Sequence, residues 1–515
     1  MHIVFAAPEC APWARTGGLA EVIRSLPRQI ASLGHQATVY IPYYRQTREV
    51  AHEHSPDKKI VIPSITIPFT GYARFASIID GGVQEGVQMY FVDCPELFDR
   101  EFLYGTPSGA YSDNWERFAL FSRAVLEAAK LLGAPDLFHV HDWQTALLPV
   151  YLRTLYASDP VLRNRGAVLT IHNAGYQGLY PAQTVERLLL PQDVFTVEHA
   201  EFFNQLNFLK GGIVYSDRLT TVSPRYAEEI QTAEYGQGLD GVFRNRAAVL
   251  TGILNGLDYE VWNPAHDPNI AAHYTPDNLA GKAECRRDLL HAFGCGPVDD
   301  SAAVLGVVTR LTTQKGIDLI GAIAEPLSRE NAVFVALGHG EEYYENLLRS
   351  LAAKYPGKFL VRIGYDTTLA HKVEAGADMF LMPSRYEPCG LGQLCALKYG
   401  TVPVVRATGG LDSTVDDWDQ ENGRPNADAA KEWPNNPAAN EARKAIEEAR
   451  RGTGFKFEGY QPEAFLAAIQ RALAVFPDKD AWQTLMRNGM AQDHSWAEPA
   501  REYLKVYESV AMSRS

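Results

Sequence analysis

The apolar positions along the chain switch repeatedly between two rhythms. His2–Ala7 is a short apolar run, followed from Pro8 to Leu19 by a loop rich in Pro and Gly. Val22, Ile23, Leu26, Ile30 and Leu33 then recur at helical spacing, which predicts one buried helical face. Gly34 is placed to end that helix, and Ala37–Ile41 predicts the next strand, stopped at Pro42. Leu137–Val140, Ala167–Ile171 and Leu219–Val222 are further strand candidates separated by helical patterns. That alternation is the signature of a parallel sheet with crossover helices.

The second half repeats the rhythm. Strands are predicted at Ala302–Val308, Asn331–Leu337, Phe359–Ile363, Asp378–Met382 and Val402–Val405. Helices are predicted between them at Ile317–Ala324, Glu341–Ala353, Leu369–Ala375 and Leu391–Tyr399. This half reads as a doubly wound α/β unit in its own right. Two such units predict a cleft between them as the ligand site, with the boundary near Gly252–Ile253. Asp416 to Arg451 breaks the pattern: it is poor in apolar residues and reads as a surface insertion, with a solvated helix at Asn440–Arg451. Trp496 to Tyr507 reads as an amphipathic helix, with Tyr503 and Tyr507 four apart on one face.

Composition narrows the class. The chain has 515 residues, 46% apolar and 21% charged, which fits a folded protein of two to four domains. A net charge of -14 argues against a general nucleic-acid binder, which needs a basic field. No apolar run reaches the roughly 18 residues of a membrane span, and the N-terminus reads as a first strand, not a signal peptide. The six cysteines are scattered, with no zinc-type spacing. A reduced, cytoplasmic enzyme without a metal or cofactor is the simplest expectation.

The candidate chemistry lies in loops that follow strands. Arg15-Thr16-Gly17-Gly18-Leu19 opens a helix, where paired glycines and the helix N-terminus suit an anion and Arg15 can add a forked phosphate contact. Thr408-Gly409-Gly410-Leu411 repeats the same motif in the second half. Arg310 and Lys315, five apart in a strand-to-helix loop, suit a diphosphate. Glu387, in Pro383-Ser384-Arg385-Tyr386-Glu387-Pro388-Cys389-Gly390-Leu391, is suited to stabilise developing positive charge or accept sugar hydroxyls; the plainer reading is a carboxylate favoured by a helix N-terminus. His139-Val140-His141-Asp142-Trp143 and Thr170-Ile171-His172-Asn173 also end strands. No G-x-G-x-x-G, H-E-x-x-H or G-x-S-x-G is present.

These residues together resemble the bacterial glycogen synthase and plant starch synthase family, retaining glycosyltransferases of the GT-B fold. The resemblance covers almost the whole chain. It runs from Ala7-Pro8-Glu9-Cys10 and Thr16-Gly17-Gly18-Leu19 through His141-Asp142-Trp143, Ile171-His172-Asn173, Lys210-Gly211-Gly212 and Asn255-Gly256. It continues with Arg310-Leu311-Thr312, Gln314-Lys315-Gly316, Glu387-Pro388-Cys389-Gly390-Leu391, Gly452-Thr453-Gly454-Phe455 and Ser495-Trp496.

The fold implied is two Rossmann-like domains facing a deep cleft: 1–252 on the acceptor side, 253–493 on the nucleotide-sugar side, and a helix at 494–515 crossing back to the first. The function implied is transfer of glucose from ADP-glucose to the non-reducing end of an α-1,4-glucan. Glu387 would sit beside the donor glucose, and Arg310 and Lys315 would hold the diphosphate. His172 would lie near the anomeric carbon, and Asp142 would position sugar or acceptor. Gly18 with Gly17 would face phosphate and sugar, Tyr365 would stack on adenine, and Gly409 and Gly410 would offer backbone N–H groups to phosphate. Arg15, Asn255, Cys389, Gly390, Leu391 and Thr408 complete the expected substrate-binding set.

The chain departs from the family pattern at Arg15 (usually Lys), Glu21 (commonly Asp), Gln144 (usually His) and Gly392 (commonly Thr), and the 416–451 segment is longer than usual. The departures bear on donor preference. UDP-glucose or another donor, and a glucan-binding protein without turnover, remain as alternatives. Release of ADP or UDP in the presence of glycogen separates them.

Overall fold

The computed structural model describes residues 1–54, 59–106, 109–296, 298–418 and 452–514. The expected insertion, beyond its first three residues, and the expected helix at 440–451 lie outside the described residues. The chain divides into two compact units. One comprises Met1–Gly256 with Ser495–Ser515, the other Leu257–His494.

The first unit is built on a nine-stranded sheet. Across it run Leu250–Gly252, Arg218–Thr221, Gly166–Ile171, Leu137–His141, His2–Ala6, Gln36–Pro42 and Val87–Asp93, all parallel. Tyr72–Gln84 and Lys59–Phe69 complete it as antiparallel strands. Numbered by chain order, the parallel strands read 3-2-1-4-5-6-7, so the winding reverses between His2–Ala6 and Leu137–His141. Ligands of open α/β sheets bind beyond the carboxyl ends of the strands at that reversal.

The strands of the parallel core match the apolar runs closely, because strands covered on both faces are apolar throughout. His2–Ala6 and Gly166–Ile171 are almost fully buried. The helix Gly18–Ser32 ends where Gly34 takes a left-handed φ of 88°. Strands 59–69, 72–84 and 87–93 have no counterpart in the sequence reading. Lys59–Phe69 contains Pro63 and Pro68, alternates between exposed and buried positions, and is bulged near Ile62. Proline is tolerated there because the strand lies at the sheet edge.

The C-terminal helix Ala497–Arg514 belongs to this first unit. Its Ala500, Tyr503, Tyr507 and Val510 are buried in one cluster with Ile3, Phe5 and Val168. Tyr507 OH lies 2.8 Å from His139 Nδ1 on the central strand 137–141.

The second unit carries a six-stranded parallel sheet: Phe359–Ile363, Ala332–Gly340, Ala303–Leu311, Met379–Met382, Val402–Arg406 and Phe455–Phe457. By chain order it reads 3-2-1-4-5-6, with its reversal between Ala303–Leu311 and Met379–Met382. Helices Ile317–Ser328, Glu342–Lys354, Thr367–Gly376 and Gly392–Lys398 fall within a few residues of their expected positions. One face packs Leu305, Val307 and Phe334 with the helices at 317–328 and 462–475, and the other packs Val304, Val335 and Phe380 with the helix at 367–376.

Candidate active site

Each unit presents loops at its own winding reversal: Arg15, Gly17, Lys315, Glu387, Cys389, Gly390 and Leu391 lie on them, Gly18 and Asp142 open the helices that follow, and His172, Asn255, Tyr365 and Thr408 to Gly410 come after other strands. In the second unit the loop after Ala303–Leu311 and the loop after Met379–Met382 are joined. Gly316, at φ 73°, lies so close to Pro383 that a Cβ there would be 2.0 Å from its carbonyl oxygen. Arg385 N donates to Gln314 O (2.8 Å), and Gln314 Nε2 to Tyr386 O (3.2 Å). Between the two loops stands an ion pair. Lys315 Nζ is 2.5 Å from Glu387 Oε2, and Ser384 Oγ donates to the same oxygen at 3.0 Å. Glu387 is only 4% exposed. A carboxylate this buried needs a paired cation and hydrogen bonds, and it has both. Arg310, at the end of its strand, is exposed.

The second Thr-Gly-Gly-Leu motif supports the same loop from beneath. Gly410 N donates to Glu387 O (3.0 Å) and Pro388 O (3.1 Å). A Cβ on Gly409 would stand 1.9 Å from Glu387 O, and one on Gly410 1.9 Å from Cys389 O. These two glycines therefore let the 383–391 loop lie on the start of the helix Gly409–Thr414. The Gly410 amide, expected to face phosphate, is committed to the chain's own carbonyls. Cys389 and Thr408 are buried, Gly390 has φ 71°, and Leu391 is half-buried. Tyr365 is 74% exposed and lines a cavity of about 500 Å³ with Arg362, Asp366, Thr368 and Lys372.

In the first unit the counterpart of Glu387 is Glu9, to which no motif in the sequence assigns a role. Glu9 follows the strand His2–Ala6 and is buried. It accepts from Thr16 N (2.6 Å), Thr16 Oγ1 (2.6 Å), Gly17 N (3.3 Å) and Tyr104 OH (2.6 Å). Its carboxylate thus holds the Thr16-Gly17 loop in place. Gly17 itself has an extended φ of -164° and open space where a Cβ would stand. Neither conformation nor packing demands glycine there, whereas close approach of a ligand would. Arg15 Nη1 is 3.6 Å from Glu21 Oε1, both about a third exposed, so two of the departures from the family pattern face each other.

Across the reversal, Asp142 takes a left-handed φ of 57°. That conformation is tolerated by Asp and brings its Oδ1 to His172 N (2.7 Å) and Asn173 N (3.4 Å). Burial pushes the Asp142 carboxyl up to about 7, opposed by the two amides and reinforced by the charge of Glu9. Burial pushes His172 down to about 3, so its ring is neutral. Asn255 is buried, and its Oδ1 has no hydrogen-bond partner among the described residues. The same residues contain no cluster of His, Cys, Asp and Glu able to hold a metal ion.

Both units match known families. Residues 2–245 match the starch synthase catalytic domain, and residues 296–452 match glycosyl transferases group 1. The chain is 53% identical to a glycogen synthase from Koribacter versatilis, over 100% of this chain and 99% of that one. It is 43% identical to a glycogen synthase from Anaeromyxobacter dehalogenans, over 99% and 100%. Among solved structures, it resembles the catalytic domain of starch synthase IV from Arabidopsis thaliana bound to ADP and acarbose, with TM-score 0.86, 30% identity and 99% of each chain covered. Two Rossmann-like units with charged loops at their reversals define a glycosyltransferase of the GT-B fold. The chain belongs to the glycogen synthase and starch synthase family, and its function is that of a glycogen or starch synthase. Among the described residues no helix is long and apolar enough to cross a membrane.

Two outcomes follow from the site's electrostatics. Lys315→Met leaves Glu387 buried without its cation, and should cost about 3 kcal/mol, at the lower end for breaking a buried pair. Adding Glu387→Gln should recover much of that loss, and chemical denaturation of both variants checks it. Asp142 binds its proton more tightly folded than unfolded. The folded state therefore holds more protons than the unfolded state between about pH 4 and 7, and stability falls as pH rises through that window. Asp142→Asn should flatten that decline; identical pH–stability curves for variant and wild type would contradict the assignment.

Proposed function

We propose that this enzyme transfers glucose from ADP-glucose to the non-reducing end of an α-1,4-glucan with retention of configuration. The observation that carries the reading is the Lys315–Glu387 pair with Ser384 at the second unit's reversal. Breaking the anomeric C–O bond sends its electron pair onto the diphosphate and leaves cationic character on the sugar. Lys315 and Arg310 oppose the growing phosphate charge, and Glu387 opposes that on the sugar. The acceptor 4-hydroxyl attacks C1 from the face the diphosphate leaves, and its proton passes to a departing phosphate oxygen. Attack and departure on one face give retention.

The remaining residues bind and orient. Tyr365 stacks on the adenine, which its exposed ring beside the 500 Å³ cavity supports. Thr408, Gly409, Cys389, Gly390 and Leu391 shape the donor side. Arg15, with Gly17 and Gly18, meets phosphate and sugar from the first unit, and Asp142, His172 and Asn255 orient the sugars there. Residues 1–252 then act on the acceptor and 253–493 on the nucleotide sugar, with 494–515 completing the first domain. The starch synthase IV domain bound to ADP and acarbose, a nucleoside diphosphate and an oligosaccharide analogue, supports the pairing of donor and acceptor. No disulfide joins the cysteines among the described residues, which fits the reducing cytoplasm.

The test is release of ADP or UDP from the two glucose donors with glycogen or maltooligosaccharide as acceptor. ADP-glucose should give the higher kcat/KM. A higher value for UDP-glucose would assign the other donor, and release from neither would leave a glucan-binding protein without turnover. Glu387→Gln should lower kcat by about 10²-fold at saturating donor, the scale of one lost electrostatic stabiliser. Wild-type kcat in that variant would remove Glu387 from the chemistry.

A further inference from the structure

His141, the last residue of the strand Leu137–His141, is fully buried. Its Nδ1 is 3.1 Å from His172 Nε2. A hydrogen bond between two imidazole nitrogens needs one N–H and one lone pair. With both rings neutral, two arrangements satisfy it. Either His172 donates from Nε2–H and His141 carries its own proton on Nε2, or His141 donates from Nδ1–H and His172 carries its proton on Nδ1.

The surroundings of His141 distinguish the two. Its Nε2 is buried and has no hydrogen-bond partner among the described residues. The neighbouring rings are Phe5, stacked at 6.4 Å, and His139 at 4.1 Å. His139 has both nitrogens committed, Nδ1 to Tyr507 OH (2.8 Å) and Nε2 to Thr170 Oγ1 (2.6 Å). The first arrangement buries an N–H at His141 Nε2 with nothing to accept it. The second leaves only a bare lone pair there. In folded proteins orphaned buried backbone N–H groups are rare and under-satisfied carbonyl acceptors somewhat less so, and the same preference applied to the ring nitrogen favours the second arrangement. Both arrangements need neutral rings, and burial holds His139, His141 and His172 all below the usual histidine range.

We propose that His141 is a positioning residue that fixes the tautomer of His172, so that His172 presents an Nδ1–H donor to an acceptor oxygen on the bound sugar. The backbone of His172 is held separately by Asp142, so both the ring's proton and its anchor are set before substrate arrives. The basic nitrogen of His172 faces His141. His172 therefore does not take the acceptor's proton, and its work is to donate a hydrogen bond. The sugar as ligand rests on the synthase reading above; the tautomer does not.

The experiment uses the full chain with 15N-labelled histidine and long-range 1H–15N correlation at pH 8, with His172 assigned by its loss in His172→Gln. The result expected is a protonated Nδ1 and an unprotonated Nε2. His141→Leu removes the hydrogen bond that selects the tautomer, and His172 should then sample both tautomers instead of one. Its kcat should fall about tenfold while the donor KM stays within about twofold, the scale of one misdirected hydrogen bond. His141→Asn, whose amide donates from near the position of Nδ1, should restore most of that loss and keep the wild-type tautomer, and it serves if the leucine variant does not fold. A wild-type spectrum with the proton on Nε2 overturns the proposal. So does a folded His141→Leu enzyme with wild-type kcat, or a folded His141→Asn enzyme in which His172 is protonated at Nε2. A wild-type spectrum as expected, from a protein that turns over neither donor, would sink the synthase reading and leave the tautomer assignment standing.

Discussion

Glu387 is a carboxylate almost removed from water, and the second unit's loops are arranged around keeping it there. Its charge is met by Lys315 at 2.5 Å and by the hydroxyl of Ser384 at 3.0 Å. Lys315 lies on the loop after the first strand of the winding and Glu387 on the loop after the fourth, so the pair spans the reversal of the sheet. The close approach of Gly316 to Pro383, and of Gly409 and Gly410 to residues 387–389, lets these backbones lie in contact. The pair is not an efficient source of stability, because two charges lose their hydration to form it. What it supplies is a fixed carboxylate beside a fixed cation.

The first unit solves a similar problem with neutral donors. Glu9 is surrounded by two amides and two hydroxyls, and Asp142 by two amides. Both carboxylates stand at the reversal between His2–Ala6 and Leu137–His141. Without a cation on Asp142, burial wins over hydrogen bonding and pushes its carboxyl up to about 7. Glu9 therefore tethers the Thr16-Gly17 loop, and Asp142 sets the backbone of His172.

Some departures from the family pattern gain a physical context. Arg15 and Glu21 lie within 3.6 Å of each other, a longer cation facing a longer carboxylate. At Gly392, a Cβ would come within 2.9 Å of Phe380 Cε1, so the ring packs where a threonine side chain would stand. The motif Lys210-Gly211-Gly212 proves to be architectural. The buried Lys210 donates to the carbonyls of Val197 and Glu201 at 2.5 Å, and a Cβ on Gly212 would lie 2.7 Å from Ala146.

The parallel strands, their crossover helices and the loops that carry Arg15, His172, Lys315 and Glu387 were legible in the sequence, whereas Arg310, expected in a loop, lies within the strand Ala303–Leu311 and Asp142 opens a short helix. Strands buried on both faces must be apolar throughout, and loops at their ends must be punctuated by Gly and Pro. The strands at 59–93 were not legible. Antiparallel edge strands interrupted by proline and bulges have no period that stands out from a loop. Partnership was hidden for a different reason. Glu9 and Tyr104 are 95 residues apart, as Lys315 and Glu387 are 72 apart, and no local pattern says which buried acid meets which donor. The tertiary structure alone decided that the Gly410 amide serves its own loop, that burial raises the Asp142 carboxyl, and that His172 is held by His141. Each depends on distance and burial, which the chain acquires only when the strand ends are brought side by side.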